Sequence, residues 1–244
     1  MNSLPNSMIH AENLTKLYGN KFGIKDVSFR VNKGTVAGLL GPNGAGKSTI
    51  MKLLTGYIAP DTGAITIDGV DVIVNYRVAA EKTGYAPEIP PLFPEMTVEG
   101  YLFFVADIKG IKKSDRINHV SAIMEMVRVA DLRGRLLKNL SKGYKQRVGI
   151  AQALIGFPPV LILDEPTAGL DPSQTSQLRE LFRSLAGKHT IILSSHILSE
   201  ISNLCDEIII INNGKIAIQE SLKNGSEQGT IEELYLRAIV GESQ

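Results

Sequence analysis

An apolar run, Val160 to Leu163, ends at two adjacent carboxylates, Asp164 and Glu165. Side by side, two carboxylates repel unless a positive charge or a proton lies between them. A second stretch supplies the charge. Gly41 to Ser48 read GPNGAGKS, which fits G-x-x-x-x-G-K-[ST]. The match follows an apolar stretch, Val36 to Leu40, and precedes a helical run, IMKLL, the context a phosphate-cradling loop requires. Gly44 and Gly46 let backbone N–H groups turn inward around phosphate oxygens. The helix N-terminus that follows adds partial positive charge. Lys47 is expected to reach the β- and γ-phosphates and Ser48 to ligate Mg²⁺. Asp164 would hold that metal directly or through water, and Glu165 would polarise the water that attacks the γ-phosphate.

Three further stretches bear on the same chemistry. In LSKGYKQRVGIAQAL, Ser141 and Gly143 stand where a helix begins, a position suited to an anion. His196, in SSHILSE, follows an apolar strand and is within reach of a γ-phosphate. Tyr18, in LTKLYGN, offers a ring that can stack on adenine. Taken singly, each has a plainer reading: a helix cap, a strand-end histidine and a packing tyrosine.

The elements that must position these residues read as α/β. Phe22–Val31 and Ile65–Ile67 are expected strands near turns such as PDTG. TVAGLL, VLIL, TIILSS and the run from Glu207 to Ile218 are continuous apolar stretches between helical patterns. Such runs indicate a parallel sheet covered on both faces. Asn213-Gly214 inside the last run predicts a type I′ turn, folding it into two antiparallel strands at an edge. Between Thr97 and Phe157 strand signals are sparse. Ile117, Val120, Ile123, Met124 and Val127 recur at helical spacing within Ser114–Ala130. This middle segment reads as a helical insertion. APEIPPLFPEM before it carries four prolines and cannot be regular structure. GTIEELYLRAIVG predicts a short amphipathic helix with Ile231, Leu234, Tyr235 and Ala238 facing the core.

The totals narrow the function classes. The 244 residues suit one large domain or two small ones. A net charge of +1, from 26 basic against 25 acidic residues, offers no sign of a nucleic-acid partner. Cys205 is the only cysteine, so no intrachain disulfide forms. The longest apolar run, Tyr101 to Ala106, spans six residues, against roughly twenty for a membrane helix. The first ten residues lack the basic start and apolar stretch of a signal peptide.

In this order the motifs resemble the ATPase subunit of an ABC transporter across nearly the whole chain. Tyr18 matches the A-loop. Gly41, Pro42, Asn43, Gly44, Ala45, Gly46, Lys47, Ser48 and Thr49 match Walker A. YAPE, ending at Glu88, stands at the Q-loop, and LSKGY at the signature with Ser141 and Gly143. LILDE matches Walker B, AGLD the D-loop with Asp171, and His196 the H-loop. Two motifs depart from the family pattern. The usual Q-loop Gln is Glu88, and the usual LSGGQ is Leu140-Ser141-Lys142-Gly143-Tyr144. Both variants look like those of single-domain exporter ATPases paired with separately encoded membrane subunits, and the PPLFPEMTVEGYL context is similar to ATPases of the gliding-motility and multidrug or sodium export type. Glu88 keeps an oxygen for metal or water and adds charge.

The resemblance implies a P-loop NTPase with a RecA-like core, an N-terminal antiparallel β-subdomain and an inserted helical subdomain. A single domain would cover residues 8–240 and the insertion residues 90–157. It further implies ATP and Mg²⁺ as ligands and Ser48, Asp164 and Glu88 around the metal. Glu165, His196 and Lys47 would be catalytic. Two copies would meet head to tail, each ATP held by the Walker A of one and the signature of the other. Transmembrane subunits would be the further partners, docking at the cytoplasmic face of the inner membrane, with Leu92, Phe93 and Tyr101–Val105 candidates for the contact. A soluble ABC ATPase acting on a macromolecule is the alternative. A GTPase lacks its N-K-x-D guanine reader here, and a kinase leaves LSKGY and His196 unexplained.

Overall fold

The computed structural model describes residues 7–222 and 230–240. Two sheets carry the chain. The smaller has the order β2-β1-β4-β5, built from β1 (Ser7–Tyr18), β2 (Lys21–Asn32), β4 (Thr62–Ile67) and β5 (Val70–Asp71), with every pair antiparallel. The larger has the order β10-β9-β3-β8-β7-β6. Its strands are β3 (Val36–Leu40), β6 (Thr83–Ala86), β7 (Val160–Leu163), β8 (Thr190–Ser195), β9 (Glu207–Asn212) and β10 (Lys215–Ser221). All neighbours in it run parallel except β9 and β10. Asn213 and Gly214 both take positive φ, 46° and 75°. That is the expected type I′ turn, and it places the antiparallel pair at the sheet edge.

The continuous apolar strands follow from burial on two faces. Leu40, Leu161, Leu163, Ile191, Ile208 and Ile210 join one core cluster, under the helices. Their alternates Leu39, Val160, Ile162, Ile192, Ile209 and Ile211 join a second, shared with the small sheet. Successive side chains of a strand point to opposite faces, so strands buried on both sides lose the polar alternation of a half-exposed strand.

Helices α1 (Lys47–Leu54) and α2 (Tyr76–Glu81) precede the middle segment. That segment is helical: α3 (Val98–Ile108), α4 (Arg116–Met126), two short 3₁₀ turns and α5 (Lys142–Leu154). Thr97 starts α3 by accepting from the Gly100 N–H. The apolar faces of α3, α4 and α5 merge into the same cluster as the large sheet, through Leu102, Ile123 and Ile150. The insertion thus shares its core with the sheet it covers. After β7 come α6 (Pro172–Leu185), α7 (Leu198–Leu204) and α8 (Ile231–Val240). Ile231, Leu234 and Ala238 of α8 are buried as expected, and Tyr235 packs against the same cluster. Among the described residues no helix is long and apolar enough to cross a membrane.

Candidate nucleotide site

The loop between β3 and α1 is shaped by what its glycines exclude. A Cβ at Gly46 would meet the Ile24 side chain at 2.7 Å and the Gly23 carbonyl at 2.9 Å, and its φ is +113°. Gly44 takes φ +80° in open space, a conformation that costs an L residue about 1–2 kcal/mol. Gly46 caps α1 without a side-chain hydrogen bond, so the first N–H groups of α1 are left for an anion. Of the loop residues expected at the nucleotide, Gly41 and Ala45 pack toward the core rather than line the open cleft. Gly41 is wedged against the Ile211 carbonyl, and Ala45 is buried. Both hold the loop to the core.

The rest of the loop opens on a cleft of about 480 Å³. Pro42, Asn43, Gly44, Gly46, Lys47, Ser48 and Thr49 form one wall; Tyr18, Glu88, Glu165 and His196 complete it. Lys47 is 7% exposed. Its Nζ donates to the Gly41 carbonyl at 2.7 Å and stands 3.7 Å from Glu165 Oε1. The positive charge that the paired acids require is therefore in place. Tyr18 lies half exposed at the end of β1, with its ring laid over Gly23, where a Cβ would come within 2.6 Å of it. Gly23 leaves room for that ring, a role not visible from its neighbours in sequence.

A third residue ties the Asp164 side chain to the Glu165 backbone. Ser194 Oγ donates to Asp164 Oδ1 at 2.6 Å and accepts from the Glu165 N–H at 2.8 Å. Ser194 is fully buried. Glu165 takes φ +45°, which turns its carboxylate away from Asp164 and into the cleft. There Oε2 lies 2.9 Å from His196 Nδ1. Asp164 stays beneath, 8% exposed, with its N–H donating to the Ala86 carbonyl at 2.9 Å. Burial and the Asp164 charge together push the neighbouring Tyr85 phenol up to about 12. Below them Glu200 accepts from Thr167 at 2.6 Å and from Ser195 at 2.9 Å, bracing the loop after β7 to the start of α7. Sequence reading missed Ser194, though a serine pair ending an apolar strand was its one signal.

The signature residues are not part of this cleft. Ser141 caps α5, accepting from the Tyr144 N–H. Asp171 caps α6, accepting from the Gln174 N–H at 2.8 Å with Pro172 behind it. Gly143 and Asp171 line a separate polar cleft, in which the Gln174 amide covers Gly143 so closely that a Cβ would lie 2.5 Å from Oε1. The structure thus divides the sequence-predicted residues into two groups on one chain.

Hard oxygen donors, the Ser48 hydroxyl and the Glu88 carboxylate, line the first cleft, and the Asp164 carboxylate lies beneath it. That donor set suits Mg²⁺, which takes one or two protein oxygens and keeps several waters.

Known proteins agree with this geometry. The family profile described as ABC transporter matches residues 24–168. The lantibiotic transport ATP-binding protein SrtF of Streptococcus pyogenes is 39% identical over 97% of this chain and 100% of its own. The bacitracin transport ATP-binding protein BcrA of Bacillus licheniformis is 40% identical over 86% of this chain and 68% of its own. A solved ATP-binding subunit of an ABC transporter superposes with a TM-score of 0.84 at 30% identity, covering 95% of this chain and 99% of that one. With a profile covering most of the chain and relatives aligned along nearly its whole length, the protein belongs to the ABC transporter family as an ATP-binding, ATP-hydrolysing subunit.

Proposed function

We propose that ATP lies in the P-loop cleft with its base on Tyr18 and its phosphates on the Lys47–Thr49 turn. The observation that carries this is the chain of contacts from Asp164 through Ser194 to Glu165 and His196, facing the Lys47 ammonium. Glu165 Oε accepts a proton from water as the water oxygen bonds to the γ-phosphorus and the bond to the β–γ bridging oxygen breaks, releasing ADP. His196 holds the Glu165 carboxylate in line. Lys47 and the α1 N-terminus stabilise the charge that gathers on the phosphoryl oxygens. Mg²⁺, held through Ser48, Asp164 and Glu88, would neutralise the β- and γ-oxygens.

Because the signature and D-loop residues open on a separate cleft, one chain holds two half-sites. A head-to-tail pair of copies completes each. The helical insertion, residues 90–157, is the part that turns on the proline-rich loop. Phe93, half exposed, packs edge-on against Tyr101 and Phe104 at a groove of about 490 Å³. This groove is the proposed seat for a segment of a separately encoded transmembrane subunit. Leu92 turns away, packing on the core. The protein would thus sit at the cytoplasmic face of the inner membrane. SrtF and BcrA are named for lantibiotic and bacitracin transport and a Rhizobium etli relative for Nod factor export, which favours export. These names favour transport over a soluble, non-transport role.

Glu165→Gln tests the reading. It keeps the shape and removes the base, which is worth roughly 10²–10⁴-fold. Turnover should collapse while ATP binding persists. ATP with Mg²⁺ should then draw the variant into a dimer by light scattering. Turnover at the unmodified rate, or a monomer at saturating ATP and high protein concentration, would count against it.

A further inference from the structure

Glu88 lines two clefts at once. One is the P-loop cleft. The other is a groove of about 380 Å³, walled by Leu92 and Leu137 and edged by Lys138, Lys142 and Lys145. Lys138 already closes an ion pair with Glu95 at 2.7 Å. Among the described residues neither Lys142 nor Glu88 is in an ion pair. Lys142 is the first residue of α5, between Ser141 and Gly143. Its ammonium lies directly over the backbone of Gly169, in the loop that leads to Asp171; a Cβ at Gly169 would collide with Nζ. An unpaired cation of the signature thus shares a groove with an unpaired carboxylate of the proline-rich loop, and rests on the loop that leads to Asp171. Glu88 and Lys142 are two of the three positions, with Tyr144, at which these motifs depart from the family pattern, and their departures carry opposite charge.

We propose that Lys142 is a positioning residue for hydrolysis. It is the counter-charge of Glu88, and through its seat over Gly169 it makes the start of α5 move with both loops. The attraction strengthens as the groove narrows, since the Coulomb energy rises as the separation falls. The proline-rich loop can hinge, so a carboxylate that reaches the nucleotide cleft on one side and a signature lysine on the other links the two half-sites of one chain. This inference rests on the ATPase reading of the P-loop cleft.

The test is a charge cycle in the full-length chain with ATP as substrate. Lys142→Gln and Lys142→Glu are each made with Glu88 and with Glu88→Gln. An exposed pair is worth roughly 0.2–1 kcal/mol, or about three-fold. Lys142→Gln should therefore lower turnover about three-fold, and Lys142→Glu, which turns attraction into repulsion, about nine-fold. The loss should fall on kcat more than on KM. With Glu88→Gln present, the charge at position 142 should cease to matter. At about 0.5 M salt the differences should shrink, because separated exposed charges are screened. A purely packing role for Lys142 predicts the same loss in both backgrounds and at both salt levels; that result overturns the proposal. So does a coupling to Glu88 that follows Lys145→Gln instead. An unmodified chain that does not hydrolyse ATP overturns this inference and the ATPase reading together.

Discussion

Ser194 is the residue whose loss should be felt furthest. Its hydroxyl is fully buried, donates to Asp164 at 2.6 Å and accepts from the Glu165 N–H at 2.8 Å. Ser194→Ala removes both bonds at once. A hydrogen bond to a charged group contributes roughly 1.5–3 kcal/mol, and a buried N–H left without an acceptor costs about 1–3 kcal/mol. The two losses share one site and do not simply add, so the expected destabilisation is about 3 kcal/mol. In a chain of this length that corresponds to a melting temperature lower by roughly 6–12 °C. Turnover should fall as well. Glu165 sits at φ +45°, a strained state for a residue with a Cβ that persists only while its surroundings fix it. Without Ser194 its backbone is free to relax and its carboxylate to leave the cleft, and a displacement near 1 Å is worth about 10²-fold. Urea or thermal unfolding paired with a steady-state ATPase assay measures both. Ser195→Ala is the comparison: its hydroxyl donates to Glu200 rather than to the paired acids, so stability should fall with turnover largely kept. Wild-type melting and wild-type turnover in Ser194→Ala would refute the reasoning.

Other consequences can be checked in the same protein. Gly41→Ala drives a methyl into the Ile211 carbonyl; overpacking of this kind costs about 1–3 kcal/mol, and the displaced loop should weaken ATP binding in a direct titration, where unchanged affinity would contradict the wedge. Tyr18→Ala should weaken ATP binding by about ten-fold, since base–ring stacking is worth roughly 1–3 kcal/mol, while Tyr18→Phe should not; equal affinity in both variants would remove the ring from the site. Lys109 donates to the Ile155 carbonyl at 2.8 Å, and burial pushes its ammonium down to about 8 from the ordinary 10.5. Between those values the unfolded chain holds a proton that the folded chain has released, so this group adds stability as pH rises through the window. Lys109→Met should flatten that rise in melts from pH 7.5 to 10, and an unaltered slope would show that the amine is not desolvated.

Much of this protein was legible in its residues because the signals are local. The G-x-x-x-x-G-K-[ST] pattern between an apolar strand and a helix needs only the torsional freedom of glycine and the N–H groups of the next turn, and the loop stands where the pattern put it. Asn213-Gly214 specified its hairpin for the same reason, since both central residues must take positive φ. Strand β1 and strand β6 were not legible. β1 is irregular, its register shifting repeatedly against β2, so no clean alternation survives along it. β6 is four residues, Thr-Gly-Tyr-Ala, with too little apolar content to announce a strand. The division of the site followed from the family resemblance and not from residue type or spacing. Motif order names Walker A and the signature alike, but only the packing of α5 and α6 separates Gly143 and Asp171 from the P-loop cleft. The adjacent carboxylates pose the question in sequence; the answer lies in Ser194, about thirty residues away and brought beside them by the parallel pairing of β7 and β8. Residue type and spacing determine which groups are available for chemistry. Which of them share a cleft depends on strand order and burial, because contacts between distant segments exist only once the sheet has formed.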